Sequence, residues 1–184
     1  TLVTEVMETI ESEAIDIVVM GTRGATGAKE ILFGTNTVHV IKKAKCPVIA
    51  VPPNYQYVPP RVILFPTDYE INFQKKELEP LLTLVDQHRT KVNVMHVSTG
   101  YDLTPNQKEH KKGLKKLLGS HGFFHDLPNN NIIDAINGFQ VEEKINLLVM
   151  VQNKHTFLER LFIEPVIKKI GFHILTPFMV IPQL

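Results

Sequence analysis

The feature that most constrains the fold of this chain is an apolar run that ends in a glycine-rich loop. The run is Ile15–Met20 (IDIVVM), and Gly21 follows it directly. A short apolar run bounded by glycine is typical of a buried strand. Gly24 lies in the loop, and Gly34 and Thr35 precede a segment with helical periodicity, from about Asn36 to Ala44. The spacing therefore predicts a strand–loop–helix unit, the building block of a parallel α/β sheet.

Such a unit brings backbone N–H groups together at one point. Glycine has no Cβ, so Gly21, Gly24 and Gly34 allow a ligand to approach the backbone closely. Thr35 is placed to cap the helix, whose first N–H groups carry the positive end of the helix dipole. Two clusters of N–H groups favour binding of a phosphate chain. The spacing matches neither the P-loop, because no Gly-Lys-Ser/Thr follows, nor the G-x-G-x-x-G dinucleotide loop.

The complete motif, Gly21-x2-Gly24-x9-Gly34-Thr35, resembles the nucleotide loop of the universal stress protein family, G-x2-G-x9-G-[ST]. The flanking sequences are similar too, with Val-Met-Gly before the loop and the segment CPVIAVP after the helix. The resemblance implies binding of ATP or AMP, with magnesium as a companion of the triphosphate. The implied nucleotide-binding residues are Gly21, Arg23, Gly24, Gly34, Thr35 and Asn36. For Arg23, a phosphate contact and plain surface exposure both stay open.

An internal correspondence runs along the chain. Ile15–Met20 matches Ile145–Met150 (INLLVM), and Cys46–Pro52 matches Thr176–Pro182 (TPFMVIP), both at a shift of 130 residues (150 − 20 and 177 − 47). Two matches at one shift favour two copies of one unit. We therefore expect three segments: residues 1–53 as the C-terminal half of a first domain, 54–60 as a proline-rich linker, and 61–184 as a complete second domain. The first domain is expected to be truncated on its N-terminal side.

The resemblance also implies a fold class. The family fold is α/β, of the adenine-nucleotide α-hydrolase-like type, with an open parallel sheet of five strands in the order 3-2-1-4-5. Its ligand crevice lies at the carboxyl ends of the strands, where the strand order reverses. The last strands of two domains commonly pair. Here those strands are 48–51 and 178–181, which would pair within one chain or between the subunits of a homodimer.

The second copy is expected to keep only part of the site. The resemblance places Asp68, at the end of the first strand of this copy, against the adenosine. At the 130-residue shift, the motif glycines and threonine are replaced by Val151, Lys154, Glu164 and Pro165. Proline has no N–H to donate, and a glutamate carboxylate repels phosphate. We therefore predict that Asp68 is vestigial and that the second copy does not bind nucleotide.

Other polar residues are weaker candidates. His121 and His125 could form half of a metal site, but no third ligand is identifiable, and solvated histidines are the preferred interpretation. His96 lies among valines and is interpreted as a satisfied histidine of the core or crevice. A lysine-rich helix face is interpreted as solvated rather than anion-binding, and it carries Lys111, Lys112, Lys115 and Lys116.

Composition excludes several classes of protein. The net charge of +1 gives no electrostatic attraction for nucleic acid. The only cysteine, Cys46, excludes an internal disulfide framework and is interpreted as structural, which favours a reducing, cytoplasmic compartment. No apolar run is long enough to span a membrane, and no signal-peptide pattern begins the chain.

Two functions of different classes follow. The first is a stress-response regulatory protein that binds ATP or AMP through its first copy. No general base is evident in the loop, so an efficient enzyme is not expected, and ATP hydrolysis would be very slow at most. The alternative is a scaffold that binds no nucleotide and acts through dimerisation or an unknown protein partner. Fold-level resemblance does not decide between these functions.

Overall fold

The structure is a computed structural model that describes residues 1–22, 34–98, 102–128, 132–152 and 176–183. The chain divides into two compact units. Unit 1 comprises Thr1–Gln56 and Val151–Leu184, and unit 2 comprises Tyr57–Met150. Both units combine strands with helices, which confirms the predicted α/β class. Among the described residues, no helix is long and apolar enough to cross a membrane.

The described residues form five α-helices and seven strands. The helices are α1 (Leu2–Ser12), α2 (Thr35–Lys43), α3 (Glu79–His88), α4 (Pro105–Leu118) and α5 (Ile132–Glu142). The strands are β1 (Val18–Gly21), β2 (Val48–Val51), β3 (Val62–Pro66), β4 (Lys91–Ser98), β5 (Gly122–Pro128), β6 (Leu147–Val151) and β7 (Phe178–Ile181). A 3-10 turn, Gly119–His121, leads into β5.

The described residues of unit 1 form three strands and two helices. β1 pairs in parallel with β2, and β2 pairs in antiparallel with β7. The helices follow the predicted periodicity: α1 buries Val3 and Ile10, and α2 buries Val40 and Ile41. α1 contacts α2, so the two helices share one apolar interface. β2 contributes the fully buried Ala50 to this core.

Unit 2 contains a parallel sheet in the order β5-β4-β3-β6. The central strand β3 is strongly apolar, and Ile63, Leu64 and Phe65 are completely buried. A strand buried on both faces is expected of a parallel sheet. The mostly parallel sheet confirms the predicted fold class, but the exact strand arrangement differs. The strand predicted to be the fifth, β7, belongs to unit 1, where it pairs with β2.

The bounds of several elements follow the 130-residue shift found in the sequence. α5 begins and ends 130 residues after α1 (132 − 2 and 142 − 12), and β7 begins and ends 130 residues after β2 (178 − 48 and 181 − 51). β1 corresponds in the same way to the last four residues of β6 (148 − 18 and 151 − 21). Equivalent sequence segments therefore adopt equivalent secondary structure.

Replacing Leu64 with Ala tests the central position of β3. The side chain is completely buried, so we expect the free energy of unfolding to fall by about 2–5 kcal/mol, because methyl groups are removed and a cavity is left. Urea unfolding followed by circular dichroism measures the change. The control is Val141→Ala on α5, which is 64% exposed and should shift stability by less than about 0.5 kcal/mol. Equal losses for the two variants would contradict this description of the core.

Candidate functional site

Backbone hydrogen bonds hold the two ends of the glycine loop together. The N–H of Thr22 donates to the carbonyl oxygen of Val51 over 2.9 Å, which extends the pairing of β1 with β2 beyond Gly21. The N–H of Gly34 then donates to the carbonyl oxygen of Thr22 over 2.6 Å. Residues 23–33 lie outside the described residues. The chain therefore leaves and returns at one point, the carboxyl end of β1.

The start of α2 presents backbone N–H groups at this point. Gly34 is the N-cap, with an extended backbone (φ −61°, ψ 152°), and glycine has no side-chain acceptor that could cap the helix. Thr35 is the first helical residue, so the predicted capping role of Thr35 is wrong. Thr35 and Asn36 are exposed, and within the described residues no acceptor receives their backbone N–H groups. These donors and the helix dipole suit an anion such as a phosphate group.

A buried threonine fixes the helix to the strand. The Thr37 hydroxyl donates to the carbonyl oxygen of Gly21 over 2.9 Å, and Thr37 is only 3% exposed. The bond joins the last residue of β1 to the first turn of α2. Sequence analysis missed this residue because it assigned the functional role to Thr35. The sequence did contain a pattern that could have identified Thr37. It is a second threonine in the first helical turn, and the helical periodicity places it on the inward side of α2.

A groove lies beside the start of α2. Its volume is about 560 Å³, and it runs between α1 and α2. The lining includes Thr35, Asn36 and Lys43 from α2, and Thr4 and Glu8 from α1. Acidic and basic side chains both line the groove, so its overall charge does not favour an anion. The part of the groove that favours an anion is the helix start, where the N–H groups of Thr35 and Asn36 lie. A phosphate group fits these donors, because they point outward from the helix start and need an acceptor.

The structure thus brings four of the predicted residues to one place. Gly21, Gly34, Thr35 and Asn36 all lie where β1 ends and α2 begins. Arg23 and Gly24 fall outside the described residues, and so does most of the corresponding loop of the second copy, from 153 to 175. Nucleotide binding by this arrangement stays a prediction.

In unit 2, Asp68 follows β3 at the carboxyl end of the sheet. Its Oδ1 accepts the backbone N–H of Glu70 over 3.0 Å, so the carboxylate closes its own turn. Its carbonyl oxygen accepts a hydrogen bond from the Gln107 side chain on α4, also over 3.0 Å. Asp68 therefore occupies the predicted end of the strand, and its polar atoms stabilise the turn.

Tyr69 packs into the same end of unit 2. It is 1% exposed, and its ring lies 5.1 Å from the ring of His96 and 5.3 Å from Lys111 Nζ. Its φ of +58° is unusual for a bulky residue and costs about 1–3 kcal/mol. Packing and a 2.8 Å contact between its carbonyl oxygen and His110 Nδ1 offset this strain. Burial raises the pKa of Tyr69 above its usual range.

His96 belongs to a polar cluster at the end of β4. Its Nδ1 lies 3.4 Å from Asp126 Oδ1, and Lys111 Nζ lies 2.6 Å from Asp126 Oδ2. His96 is 9% exposed, and burial lowers its pKa below the ordinary value although Asp126 acts in the opposite direction. The interpretation of His96 as a satisfied histidine is confirmed. Lys111 is held by this cluster, so the prediction of a wholly solvated lysine face is wrong at that residue.

The other two histidines also have protein partners. His121 Nδ1 lies 3.1 Å from the carbonyl oxygen of Thr90, and His125 Nε2 lies 3.0 Å from Asn93 Oδ1. The prediction that both histidines are solvated is therefore wrong. The described part of the chain contains no group of three His, Cys, Asp or Glu side chains arranged for a metal ion. Cys46 is buried, and burial raises the pKa of its thiol, in agreement with a structural role.

The fold and the strand–loop–helix geometry define an α/β protein with a candidate anion site at a strand end. The model of the universal stress protein family matches residues 2–52. Over 47 residues the chain is 47% identical to two proteins of Methanocaldococcus jannaschii, universal stress proteins MJ0577 and MJ0531. Residues 2–52 are therefore similar to the universal stress protein family, and the chain spans less than a third of the length of these two relatives. Each match covers 26% of this chain, and 29% and 28% of the two relatives.

Solved structures extend the likeness to almost the whole chain. A universal stress protein from Archaeoglobus fulgidus has a TM-score of 0.68 at 18% identity, over 98% of this chain and 65% of that chain. The functionally unknown protein PA1789 from Pseudomonas aeruginosa has a TM-score of 0.65 at 12% identity, over 99% of this chain and 68% of that chain. At these identities the likeness shows the fold alone.

Replacing Thr37 with Val tests the connection between β1 and α2. The variant keeps the shape of the side chain and leaves the Gly21 carbonyl oxygen without its 2.9 Å donor. We expect the free energy of unfolding to fall by about 1–3 kcal/mol. Thr37→Ser retains the hydroxyl and is the matched control. Urea denaturation measures both variants, and a Val variant as stable as the Ser variant would show that the bond contributes nothing.

The buried His96 and the half-buried His125 predict a dependence of stability on pH. Burial lowers the pKa of His96 and of His125 below the ordinary value of 6.5. The unfolded chain therefore binds these protons more readily than the folded one. Above the histidine pKa of the unfolded chain, both states hold the two histidines neutral and the stability of the folded state is complete. As the pH falls through that pKa towards the lower pKa values of the folded state, the unfolded chain binds protons first, and stability is lost. We expect the free energy of unfolding to decrease from about pH 7.5 to about pH 5.5.

Urea denaturation at several pH values measures this dependence. The double variant His96→Gln, His125→Gln removes both titrating groups, so its stability should decline less steeply over the same interval. An equally steep decline in the double variant would assign the effect to other groups.

Proposed function

We propose that this chain is a stress-response regulatory protein that binds ATP or AMP at the junction of β1 and α2. The observation that carries the proposal is the outward-facing set of N–H groups at Thr35 and Asn36, beside the point where Gly34 and Thr22 join the two ends of the loop. A helix start carries about half a positive charge, which favours phosphate groups. The family motif adds Arg23 and Gly24 as candidates for the same proposed site, and magnesium is proposed to accompany a bound triphosphate.

The proposed activity is binding rather than turnover. Efficient phosphoryl transfer needs a group that orients or deprotonates the attacking water. At this junction the Thr37 hydroxyl donates to Gly21 and is not available for that role. We therefore propose that ATP hydrolysis is very slow at most, and that the nucleotide acts as a regulatory ligand.

The proposed organisation is a tandem of two copies in the cytoplasm. The 130-residue spacing between α1 and α5, and between β2 and β7, supports two copies of one unit. The antiparallel pairing of β2 with β7 supports a domain pair made within one chain, with a homodimer through the same strands as the alternative. The lone cysteine supports a reducing compartment.

The second copy is proposed not to bind nucleotide. Asp68 accepts the N–H of Glu70, and the next residue, Tyr69, packs against His96 at the strand ends. Both observations favour a structural role for this end of unit 2. They also support the alternative function, a scaffold that recognises a protein partner without nucleotide.

Two substitutions at Gly34 test the proposed site. Asp and Asn are both good N-cap residues, so Gly34→Asp and Gly34→Asn should preserve the helix. Only Asp adds a negative charge beside the proposed phosphate position. We expect Gly34→Asp to weaken ATP binding more than about tenfold, and Gly34→Asn to change it less than about threefold.

Isothermal titration calorimetry with ATP and AMP measures these affinities. Unfolding of each variant checks that the cap is retained. Equal affinities for the Asp and Asn variants would place the nucleotide elsewhere, and the absence of binding by the parent protein would favour the scaffold.

A further inference from the structure

The positive charge of this chain is concentrated on one helix, α4. This helix contains five lysines and one glutamate, Glu109, so its formal charge is +4. Because the whole chain has a net charge of +1, the rest of the sequence carries −3 (1 − 4). Salt screens charges that lie more than about 10 Å apart. The local charge of α4, rather than the net charge of the chain, therefore determines what binds to this helix.

Most of the lysines on α4 have no acidic partner. Three of them are exposed and, within the part of the chain that the structure describes, form no ion pair: Lys108, Lys112 and Lys116. The other two have partners in unit 2. Lys111 pairs with Asp126, and Lys115 Nζ lies 5.2 Å from the centre of the Phe124 ring. The three unpaired lysines are thus the part of this helix that is available to another molecule.

These three lysines lie in one row. They are four residues apart, so they follow each other along one side of the helix at intervals of about 6 Å. Like charges at this spacing repel each other and oppose helix formation. Other contacts retain the helix: Thr104 and Gln107 form a capping box at its start, and the side chains of Leu114 and Leu118 are buried. The row is therefore unfavourable for the helix by itself, and a bound anion would relieve the repulsion.

We propose that the row formed by Lys108, Lys112 and Lys116 binds an acidic helix of a protein partner, in which carboxylates repeat at every fourth residue. Two α-helices have the same rise per residue, so matching rows of lysines and carboxylates stay opposite each other along α4. Paired rows of charge guide association and fix the register of two helices. This interaction is independent of nucleotide binding.

Other polyanions fit this face less well. α4 contains no Phe, Tyr or Trp, so nucleic-acid bases would find no aromatic side chain of this helix on which to stack. A nucleic acid longer than the helix, which measures about 21 Å, would also meet the rest of the chain and its formal charge of −3. A helix that lies in a membrane surface inserts apolar side chains, but Leu114 and Leu118 are buried in the protein. An acidic helix needs neither feature and matches the row in spacing and charge.

Fluorescence anisotropy of a labelled peptide tests the proposal on the 184-residue protein. The probe is an alanine-based helical peptide with glutamate at every fourth position, and the control peptide has glutamine at the same positions. At low ionic strength we expect the glutamate peptide to bind at least about tenfold more tightly, because only its side chains pair with the lysines. Raising the salt concentration to about 0.5 M should abolish this binding, because salt screens exposed ion pairs.

Two charge reversals locate the binding site. Lys112→Glu changes the centre of the row, and Lys42→Glu changes an exposed lysine of α2. Both make the same change in net charge, so a difference between them reports position. We expect Lys112→Glu to weaken binding of the glutamate peptide at least about fivefold, and Lys42→Glu less than about twofold. Thermal unfolding checks the fold of each variant, and Lys112→Glu should not lower the melting temperature, because it removes repulsion within α4.

Three outcomes would overturn the proposal. Equal binding of the glutamate and glutamine peptides would show that carboxylates are not recognised. Equal effects of the two charge reversals would show general electrostatic attraction rather than binding to α4. The third outcome is a single-stranded RNA oligonucleotide, or a vesicle that contains phosphatidylserine, binding more tightly than the glutamate peptide and losing affinity with Lys112→Glu. That result would assign the row to a different class of partner.

Discussion

Two hydrogen bonds at the carboxyl end of β1 determine the geometry of the candidate site. The Gly34 N–H reaches the carbonyl oxygen of Thr22, and the Thr37 hydroxyl reaches that of Gly21. The first joins the ends of the glycine loop, and the second holds the first turn of α2 against the strand. Because of this arrangement, the N–H groups of Thr35 and Asn36 point outward from the start of α2, at the carboxyl end of β1. The proposed recognition of phosphate depends on that direction more than on any single side chain.

Sequence patterns predicted the main architecture because it depends on residue spacing. The apolar run before Gly21 and the glycine spacing predicted a strand followed by a helix, which β1 and α2 confirm, and a family resemblance, which the family model matches over residues 2–52. The cap was assigned to the wrong residue because glycine and threonine are both acceptable N-caps. Which of the two residues is the N-cap depends on where the backbone changes from extended to helical. That change occurs after Gly34, and the residue types alone do not determine it. The inward direction of Thr37 likewise becomes evident only once the helix start is known.

Long-range contacts account for the other differences from the predictions. Tyr69 adopts a positive φ because its ring packs against His96 and Lys111, which are distant in sequence. His125 and Asn93 meet only because β4 and β5 lie side by side. The placement of β7 in unit 1 follows from its antiparallel pairing with β2, and these are the two strands that the family resemblance expects to pair. Local propensity therefore identified elements well, while tertiary contacts decided which polar groups are satisfied.

The central claim is that a nucleotide binds where β1 ends and α2 begins. The most direct test is an NMR titration of the assigned protein with ATP and magnesium, followed at the backbone amides. The account predicts the largest shifts at Gly34, Thr35 and Asn36, with little change around Asp68 in unit 2. Shifts that are confined to the surroundings of Asp68, or no shifts at all in millimolar ATP, would contradict it.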